Sequence, residues 1–447
     1  MNSIHFISLG CPKNLVDSEV MLGLLAREGF AFVSNPEEAD TIIVNTCAFI
    51  EDAKKEAIDT ILEMAKFKKK GACRLLVVVG CLPQRYGKEL ASLLPEVDLF
   101  VGAGEFHRIV ELVKQSGREK IVINKPAFLY SHMTPRIATT PPHAAYIKIA
   151  EGCFHPCSFC VIPKIRGAYR SREIGSIVEE ARGMLEQGVK EINLIAQDTT
   201  AYGRDLGSHA NLEELLIRLA NLEADKWIRL LYTYPHNFPK GILDVMKAYP
   251  DICPYLDIPI QHISNRILKS MNREGDAAEI HHLIDYLRAA VPHIFLRTSV
   301  IVGYPGETEE EFDELLDFIS WAKFDHLGAF TYSAEEGTRA AQLKAQLPKD
   351  VMKARYHEIM SLQQEIAREK NRRHTGQVMQ VLVEAKGRKG GYAFQARHIG
   401  QAPDIDGNTH INGKARVGEF ALVKIRDFGA YDLAGDVILP EQVLRER

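Results

Sequence analysis

The amino-acid sequence predicts an α/β protein of three parts: a parallel-sheet domain at 1–140, a partial barrel of six strand-helix units with a linker helix at 141–373, and a small antiparallel β-barrel at 374–447. Two observations support this prediction. Short apolar runs alternate with amphipathic segments through the first two parts, which is typical of parallel sheets covered by helices. After Gly376, Gly, Asn and Asp break the sequence into short alternating runs, which is typical of a small β-barrel.

The first part contains strand-like runs that are each followed by a helix-like segment: IHFISLG, TIIVNT, RLLVVVG and DLFVGA. This order predicts a parallel sheet, because parallel neighbours need a crossover connection, usually a helix. The segment KPAFLYSHMTPRIATTPPH is rich in Pro and Thr and lacks apolar periodicity, so we place the first domain boundary there.

The second part repeats the alternation with the runs AAYIKIA, KEINLIAQDT, WIRLLYTYP, YLDIPIQH, IFLRTSVIVGYPG and DHLGAFTYS. Parallel units in this number indicate a barrel or part of one. Thr308 and Glu311 form a capping-box pattern ahead of an apolar helix face that runs from Phe312 to Ile319. Residues 349–373 predict one long helix with basic residues at its carboxyl end.

The composition is that of a globular protein, with 46% hydrophobic residues, 26% charged residues and a formal net charge of -4. The longest apolar runs are too short to cross a bilayer, and the start MNSIHFISLG lacks the basic stretch of a secretory signal. We therefore expect a cytoplasmic protein with no membrane partner. Proteins that bind nucleic acid mainly by neutralising phosphates carry a basic surplus, which this sequence lacks.

Cys153, Cys157 and Cys160 lie within the stretch EGCFHPCSFC, directly after the strand-like run AAYIKIA. The carboxyl end of a strand is where strand-helix barrels place their chemistry. Structural zinc sites use four ligands, usually from two separated pairs, and no second pair lies nearby. Three thiolates instead suit an iron-sulfur cube in which one iron keeps an open position. A structural zinc site is the alternative.

A second set of thiols follows strand-like runs of the first part: Cys11 after IHFISLG, Cys47 after TIIVNT and Cys81 after LLVVVG. Parallel neighbours present their carboxyl ends at one edge of a sheet, so we expect these thiols to converge. The expected result is a second three-thiolate cluster. Cys73 and Cys253 share no such placement, and we expect them to be small buried hydrophobes.

The stretch EGCFHPCSFC, followed by VIPKIRG, resembles the cluster loop of the radical S-adenosylmethionine enzymes. Cys153, Cys157 and Cys160 match the cluster ligands, and Phe159 matches the aromatic position of that signature. The resemblance implies a 4Fe-4S cluster whose open iron is chelated by the amino and carboxylate groups of S-adenosylmethionine. One electron then cleaves the sulfonium into methionine and a 5'-deoxyadenosyl radical, which removes an unactivated hydrogen atom.

The whole chain resembles the methylthiotransferases, which combine two 4Fe-4S clusters, a radical barrel and a terminal OB-like barrel, the TRAM domain. The matching pieces are SLGCPKNLVDSE, VNTCAFIEDAKKE, GCLPQRY, EGCFHPCSFCVIPKIRG and YPGETEEEF. Three of them are similar to the RimO-type branch, which modifies the β-carbon of an aspartate in small-subunit ribosomal protein S-twelve. The branch that modifies the adenosine beside the tRNA anticodon more typically shows GCQMN. Three hypotheses for the function therefore stand: modification of the ribosomal protein, modification of tRNA, and a metal-binding interaction module without turnover.

The resemblance implies two uses of S-adenosylmethionine. One molecule methylates sulfur carried at the cluster of Cys11, Cys47 and Cys81. A second molecule, at the other cluster, provides the radical that abstracts the aspartate β-hydrogen, and the carbon radical captures the methylthio group. The implied partners are ribosomal protein S-twelve, either free or within the assembled subunit, an electron donor and a sulfur source.

The charge of the terminal part bears on the choice of substrate. Residues 375–447 hold ten Lys or Arg and nine Asp or Glu, a net charge of +1. A domain that grips tRNA should be more basic, since phosphate contacts need cations. Ribosomal proteins are commonly basic, and a nearly neutral or acidic surface is compatible with such a partner. We therefore expect the protein substrate.

Polar residues at other strand ends are candidates for holding S-adenosylmethionine or substrate, because they fall at the reactive face of the barrel. Gln197 and Asp198 are, with Phe159, the candidates for S-adenosylmethionine. The further candidates are Tyr234, His236, Gln261, His262 and the turn at Gly303, Tyr304, Pro305 and Gly306. An ordinary structural role is the alternative for each of them.

Overall fold

A computed structural model describes residues 3–115, 117, 119–207, 210–387 and 391–438. The terminal segment 439–447 and the basic pair at 388–389, both counted in the charge of the terminal part, lie outside the described residues. Two six-stranded parallel sheets and a closed five-stranded barrel follow one another along the described chain, which confirms the predicted α/β class. Among the described helices, none combines the length and the apolar character that crossing a membrane requires.

The first part of the chain folds into a parallel sheet covered by helices, as predicted. Its strands are β1 (Ser3–Ser8), β2 (Ala31–Phe32), β3 (Thr41–Thr46), β4 (Leu75–Gly80), β5 (Leu99–Gly102) and β6 (Ile121–Val122). Its helices are α1 (Pro12–Arg27), α2 (Glu51–Ala65), α3 (Phe67–Lys70), α4 (Cys81–Leu93) and α5 (Ile109–Lys114). The order across the sheet is β2-β1-β3-β4-β5-β6. The edge strands β2 and β6 were not predicted, because two residues carry no periodicity.

The second part folds into an open barrel of parallel strands. Its strands are β7 (Ala144–Lys148), β8 (Ala150–Glu151), β9 (Arg170–Ser171), β10 (Glu191–Ile195), β11 (Trp227–Leu230), β12 (Ile252–Asp257), β13 (Phe295–Val302) and β14 (His326–Thr331). Its helices are α6 (Ile162–Arg166), α7 (Ile174–Glu186), α8 (Leu212–Ala220), α9 (Gly241–Ala248), α10 (Asn265–Ser270), α11 (Ala277–Ala290), α12 (Glu309–Ala322) and α13 (Lys349–Arg372). The order is β14-β13-β12-β11-β10-β7, with β8 and β9 forming a separate antiparallel pair.

The start of α12 forms as its sequence predicts. The Thr308 hydroxyl accepts a hydrogen bond from the Glu311 amide at 3.3 Å, and the Glu311 carboxylate accepts one from the Thr308 amide at 3.0 Å. Phe312 and Ile319 on the apolar face of α12 are buried in the barrel core. The cap and the buried face together explain why a helix begins at this point.

The terminal part folds into a closed barrel. Its strands are β15 (Val378–Lys386), β16 (Phe394–His398), β17 (Thr409–Asn412), β18 (Phe420–Phe428) and β19 (Leu433–Val437). The order is β15-β16-β17-β19-β18, and the pairs are antiparallel except for β17 with β19. The exception has a geometric cause: strands whose directions alternate throughout cannot close a ring with an odd number of members.

The terminal barrel packs against the amino ends of the barrel strands through a buried ion network. Glu191, at the start of β10, accepts hydrogen bonds from Arg229 Nε at 2.7 Å and from Arg397 of β16. Arg229 Nη1 also donates to the carbonyl of Ile399 at 2.7 Å. The three charged side chains are fully buried. The terminal barrel therefore lies at the end of the central barrel opposite to the carboxyl ends of its strands.

We expect Glu191→Ala to destabilise this junction by about 3 kcal/mol, because two buried guanidinium groups lose their shared carboxylate. Fluorescence of Trp227 is a suitable reporter, since its ring lies 4.8 Å from the ring of Phe420 in the terminal barrel. Urea unfolding in a Trp321→Phe background isolates that signal. Asp436→Ala is the control, because it breaks an exposed pair with Arg426 and should cost under about 1 kcal/mol. An equal cost for both variants would contradict the expectation.

The same carboxylate predicts how the junction depends on pH. Burial raises the pKa of Glu191, but Arg397 and Arg229 outweigh it and lower the pKa to about 2, below the ordinary value of 4.5. A lowered pKa means that the contribution of Glu191 is fully present above pH 4.5 and is lost as the pH falls towards 2. The Trp227 transition of the parent should therefore weaken over this range, and that of Glu191→Ala should weaken less.

Candidate functional site

The thiols of the first part converge at one edge of their sheet. Cys11, Cys47 and Cys81 follow β1, β3 and β4, which are neighbours in the sheet. Burial raises the pKa of Cys81 to about 12, while Arg166 lowers it and the thiols of Cys47 and Cys11 raise it. Because the carboxyl ends of neighbouring parallel strands meet at one edge of a sheet, the three thiols lie along the same edge. Cys47 and Cys81 are buried, whereas Cys11 is exposed.

Two glycines with positive φ permit this close approach. Gly10 has φ +93°, and a Cβ there would lie 2.6 Å from Cβ of Cys47. Gly80 has φ +102°, and a Cβ there would lie 2.4 Å from Oδ1 of Asn45. A side chain at either position would push the thiol-bearing turns apart. Cys81 itself opens α4, and the amino end of a helix stabilises a thiolate.

The second group of thiols lies in the loop after β8. Cys153, Cys157 and Cys160 are half-buried. Burial is the main cause that raises the pKa of Cys160 to about 12, and the thiols of Cys157 and Cys153 raise it as well. The Cys160 amide donates to the carbonyl of Cys157 at 3.2 Å, and the Cys153 amide donates to that of Gly167 at 3.2 Å. These backbone bonds fix the fold of the loop that carries the three thiols.

The donors of both groups fit iron-sulfur clusters. Each group offers only thiols, which are the ligands that such clusters use. Within the residues that the structure describes, no three His, Cys, Asp or Glu side chains are arranged to hold a single metal ion.

A buried ion network joins the two groups of thiols. Arg166 of α6 donates from Nη2 to Sγ of Cys81 at 3.2 Å and from Nη1 to Oδ2 of Asp17 at 2.5 Å. Lys148, at the end of β7, donates to Oδ1 of Asp17 at 2.5 Å and to Glu151. All of these side chains are buried. The segment that carries the second thiol group therefore packs on the sheet edge that carries the first.

The charges of this network balance. Burial raises the pKa of Glu151, but Lys148 and Arg166 outweigh it and lower the pKa to about 2. Burial lowers the pKa of Lys148, whereas Asp17 and Glu151 raise it above its ordinary value. Glu151 is therefore ionised at neutral pH, and the network pairs two carboxylates, Asp17 and Glu151, with two cations, Lys148 and Arg166. Loss of any single member would leave an uncompensated charge in a buried place.

Gln197 and Asp198 both approach the second thiol group, but through different partners. Nε2 of Gln197 donates to Glu151 at 2.9 Å, and its buried Oε1 accepts no hydrogen bond from the described residues. Oδ2 of Asp198 lies 2.7 Å from Nε2 of His155 in the thiol loop, and Oδ1 accepts from Thr200. Gln197 thus keeps an acceptor for a ligand, whereas Asp198 uses both oxygens to hold the protein.

Other candidates from the sequence support the thiol loop by packing. The ring of Tyr234 stacks on that of His155, with 3.8 Å between centroids. The Tyr304 hydroxyl, in the turn at 303–306, lies 2.8 Å from the hydroxyl of Ser158. Phe159 packs against the apolar cluster that contains Tyr304. These contacts hold the loop in place.

The remaining candidates differ in their exposure. His236 pairs with Glu279 at 2.9 Å near the surface. Gln261 forms an isolated bridge with Val300 of β13 and has a φ of 72°. His262 is fully buried, and burial lowers its pKa to about 4, so its ring is neutral at pH 7. Its Nε2 has no hydrogen-bond partner within the part of the chain that the structure describes.

Comparison with known proteins identifies the family. Residues 3–102 match the model described as Uncharacterized protein family UPF0004, residues 147–319 match the Radical SAM superfamily, and residues 375–438 match the TRAM domain. A protein of Geobacter sulfurreducens named ribosomal protein uS12 methylthiotransferase RimO is 49% identical over 97% of this chain and 98% of its own length. This chain belongs to the RimO methylthiotransferase family. A protein of the same name from Geotalea uraniireducens is 47% identical over the same shares.

The fold of this RimO-family chain also occurs in a solved structure. The radical S-adenosylmethionine methyltransferase TsrM from Kitasatospora setae superposes with a TM-score of 0.55 over 74% of this chain and 75% of that protein. The identity is 14%, so the likeness concerns the fold alone. That structure contains cobalamin and a [4Fe-4S] cluster.

Sequence reasoning missed several residues of this RimO-family site: Lys13, Asp17, Lys148, His155 and Arg166. A signal existed for Lys148, because a lysine interrupts the otherwise apolar run AAYIKIA. Burial lowers the pKa of Lys13 to about 8, although Cys11, Asp257 and Glu151 raise it. Only the three-dimensional structure brings these charges to the thiols.

Proposed function

We propose that this chain is a radical S-adenosylmethionine methylthiotransferase that modifies the β-carbon of an aspartate in ribosomal protein S-twelve. The observation that carries the proposal is that Arg166, six residues after Cys160, donates to Cys81 and to Asp17, so that the segment with the second thiol group packs on the sheet edge with the first. The relatives named for this activity support the choice of substrate. The proposed ligands of the first 4Fe-4S cluster are Cys11, Cys47 and Cys81, and those of the second are Cys153, Cys157 and Cys160.

When bound, the clusters and S-adenosylmethionine supply the methylthio group and the hydrogen-abstracting radical, so that one β-hydrogen of the aspartate is replaced. The chain's own residues position these parts. Arg166 holds the first thiol group against the loop of the second, because it donates to both Cys81 and Asp17. His155, held by Asp198 and Tyr234, fixes the loop between Cys153 and Cys157. Oε1 of Gln197, which accepts no hydrogen bond from the described residues, offers an acceptor beside that loop.

The proposal includes two further partners and a compartment. The reaction needs an electron to cleave S-adenosylmethionine, so an electron donor is required. It also adds sulfur to the substrate, so a sulfur source must resupply the protein. A ribosomal substrate places the protein in the cytoplasm.

The terminal barrel gives no support to the tRNA alternative. Arg397, one of its basic residues, is buried in the junction with Glu191 rather than presented to a phosphate. The barrel itself packs at the amino ends of the central strands, whereas the thiols lie at their carboxyl ends. With a sequence net charge of +1, this domain lacks the cations that tRNA phosphates need.

The test supplies the reconstituted protein with dithionite and S-adenosylmethionine and offers it S-twelve or tRNA in separate anaerobic reactions. We expect S-twelve, and not tRNA, to gain the mass of a methylthio group less one hydrogen. Protein prepared without iron and sulfide is the control. A mass gain on tRNA alone would favour the nucleic-acid substrate, and absence of 5'-deoxyadenosine would favour a binding module without turnover.

A further inference from the structure

Lys13 is a buried lysine whose ammonium group pairs with no acidic side chain among the described residues. Its side chain stands in the first turn of α1, and the residue is 8% exposed. Within the described residues, Nζ donates no hydrogen bond and forms no ion pair, and its contact is the ring of Tyr232, 3.0 Å from Nζ to the centroid. The other buried cations of the site differ, because Lys148 and Arg166 both donate to Asp17.

Lys13 lies between the two halves of the site. It follows Cys11 on the sheet edge, whereas Tyr232 follows β11 at the carboxyl end of the barrel strands. Tyr232 has a φ of 61°, an unfavourable conformation for a residue other than glycine. Its amide donates to Oδ2 of Asp257 at 3.2 Å, which holds the ring in place under the ammonium group. Nζ therefore faces the space between the first sheet and the barrel.

The carboxylates near Lys13 already have partners. Asp257 lies beside the ring that Lys13 contacts, because its Oδ2 accepts a hydrogen bond from the Tyr232 amide. Oδ1 of Asp257 accepts a hydrogen bond from Arg297 at 3.3 Å, and Glu151 accepts from Lys148. Neither carboxylate forms a hydrogen bond with Nζ, so the ammonium group is left for a ligand. An anionic ligand at this mostly enclosed ammonium group would form a charge-assisted hydrogen bond, which is stronger than a neutral one.

We propose that Lys13 binds the carboxylate of the substrate aspartate. The assignment rests on the proposed function, in which an aspartate side chain enters the space between the two thiol groups. The carboxylate carbon of aspartate is bonded to the β-carbon that reacts. An ion pair with Nζ therefore holds the β-carbon next to the edge that carries Cys11, and it selects an acid over an amide at that position.

The experiment measures the affinity of the anaerobic holoenzyme for two purified forms of S-twelve. One form carries the aspartate that becomes methylthiolated, and the other carries asparagine there, which has the same shape without the charge. The parent should bind the aspartate form about tenfold or more tightly than the asparagine form. Lys13→Met should bind both forms with the same affinity, and this affinity should match that of the parent for the asparagine form. Lys13→Arg, which keeps the charge, should retain part of the preference.

Controls separate charge recognition from folding. Lys55→Met changes an exposed lysine of α2 and should leave the preference unchanged. Thermal melting and iron content of Lys13→Met should match those of the parent. If Lys13→Met does not fold, the affinities of the parent for the two forms still test the assignment, because equal affinity for both forms overturns it. Lys13→Arg then shows whether a positive charge at this position keeps the preference for the aspartate form.

The outcomes separate this assignment from the proposed function. Equal preference for the aspartate form in the parent and in Lys13→Met overturns the role of Lys13 and leaves the activity untouched. Failure of the parent holoenzyme to add a methylthio group to S-twelve overturns the proposed function and the assignment with it. Loss of the preference in Lys13→Met, with modification of S-twelve by the parent, supports both.

Discussion

Replacing Cys157 with serine is expected to abolish both 5'-deoxyadenosine formation and methylthiolation, whereas Cys11→Ser is expected to abolish methylthiolation alone. The reason is that the thiols form two groups on different sheets, and each group is proposed to hold its own cluster. Serine keeps the size of the side chain but replaces a soft sulfur ligand with a hard oxygen, which iron-sulfur clusters do not favour. Cys11 is exposed, so its replacement should disturb packing little.

The measurements are the yield of 5'-deoxyadenosine, the mass of S-twelve and the iron content. Each variant should lose about four of about eight iron atoms per chain, because one cube holds four. Cys73→Ala is the matched control, since Cys73 is a buried thiol outside both groups, and it should keep both products and all the iron. Loss of 5'-deoxyadenosine in Cys11→Ser would show that the two thiol groups do not act as separate centres.

The positions of the thiols were predictable because each depends on local sequence. Cys47 and Cys81 directly follow apolar runs, and a strand buried on both faces reads as such a run. Parallel strands joined by helices then bring their carboxyl ends to one edge. The start of α4 was less predictable: the helix includes Cys81 itself, because Pro83 is tolerated in a first turn although it breaks the apolar pattern.

The ion network was not predictable, because its partners are far apart in the sequence. Lys148 and Asp17 are separated by 131 positions, and Arg166 and Asp17 by 149. The local sequence around each of these residues does not show which residue of opposite charge it will contact. The junction of the terminal barrel follows the same rule, since Arg397 and Glu191 are separated by 206 positions.

The adjacent candidates Gln197 and Asp198 show a second limit. The sequence assigned them the same role because both follow the same strand. In the structure, neighbouring positions direct their side chains to different partners, so Gln197 contacts Glu151 and Asp198 contacts His155. Which of them keeps an atom for a ligand depends on these contacts, and periodicity carries no information on that point.

Arg166→Met is expected to lower the free energy of unfolding by about 3–5 kcal/mol and to reduce methylthiolation about 10- to 100-fold. The substitution removes the hydrogen bonds from the guanidinium group to Cys81 and Asp17. After the substitution, the network holds two carboxylates, Asp17 and Glu151, and the single cation of Lys148. A net negative charge therefore stays buried beside the first thiol group. Arg182→Met, which removes an exposed arginine of α7, is the matched control and should change neither quantity measurably.

The charge balance supplies a sharper test than the single substitution. If the cost of Arg166→Met comes from the uncompensated charge, adding Asp17→Asn should restore part of the stability, because Lys148 and Glu151 then form a neutral pair. If the cost comes only from lost packing, the double variant should be less stable than Arg166→Met. Denaturant unfolding of the parent, both single variants and the double variant distinguishes these outcomes. Because Asp17 belongs to the first sheet domain and Glu151 to the barrel, recovery in the double variant would also show that charge neutrality holds the two thiol groups together.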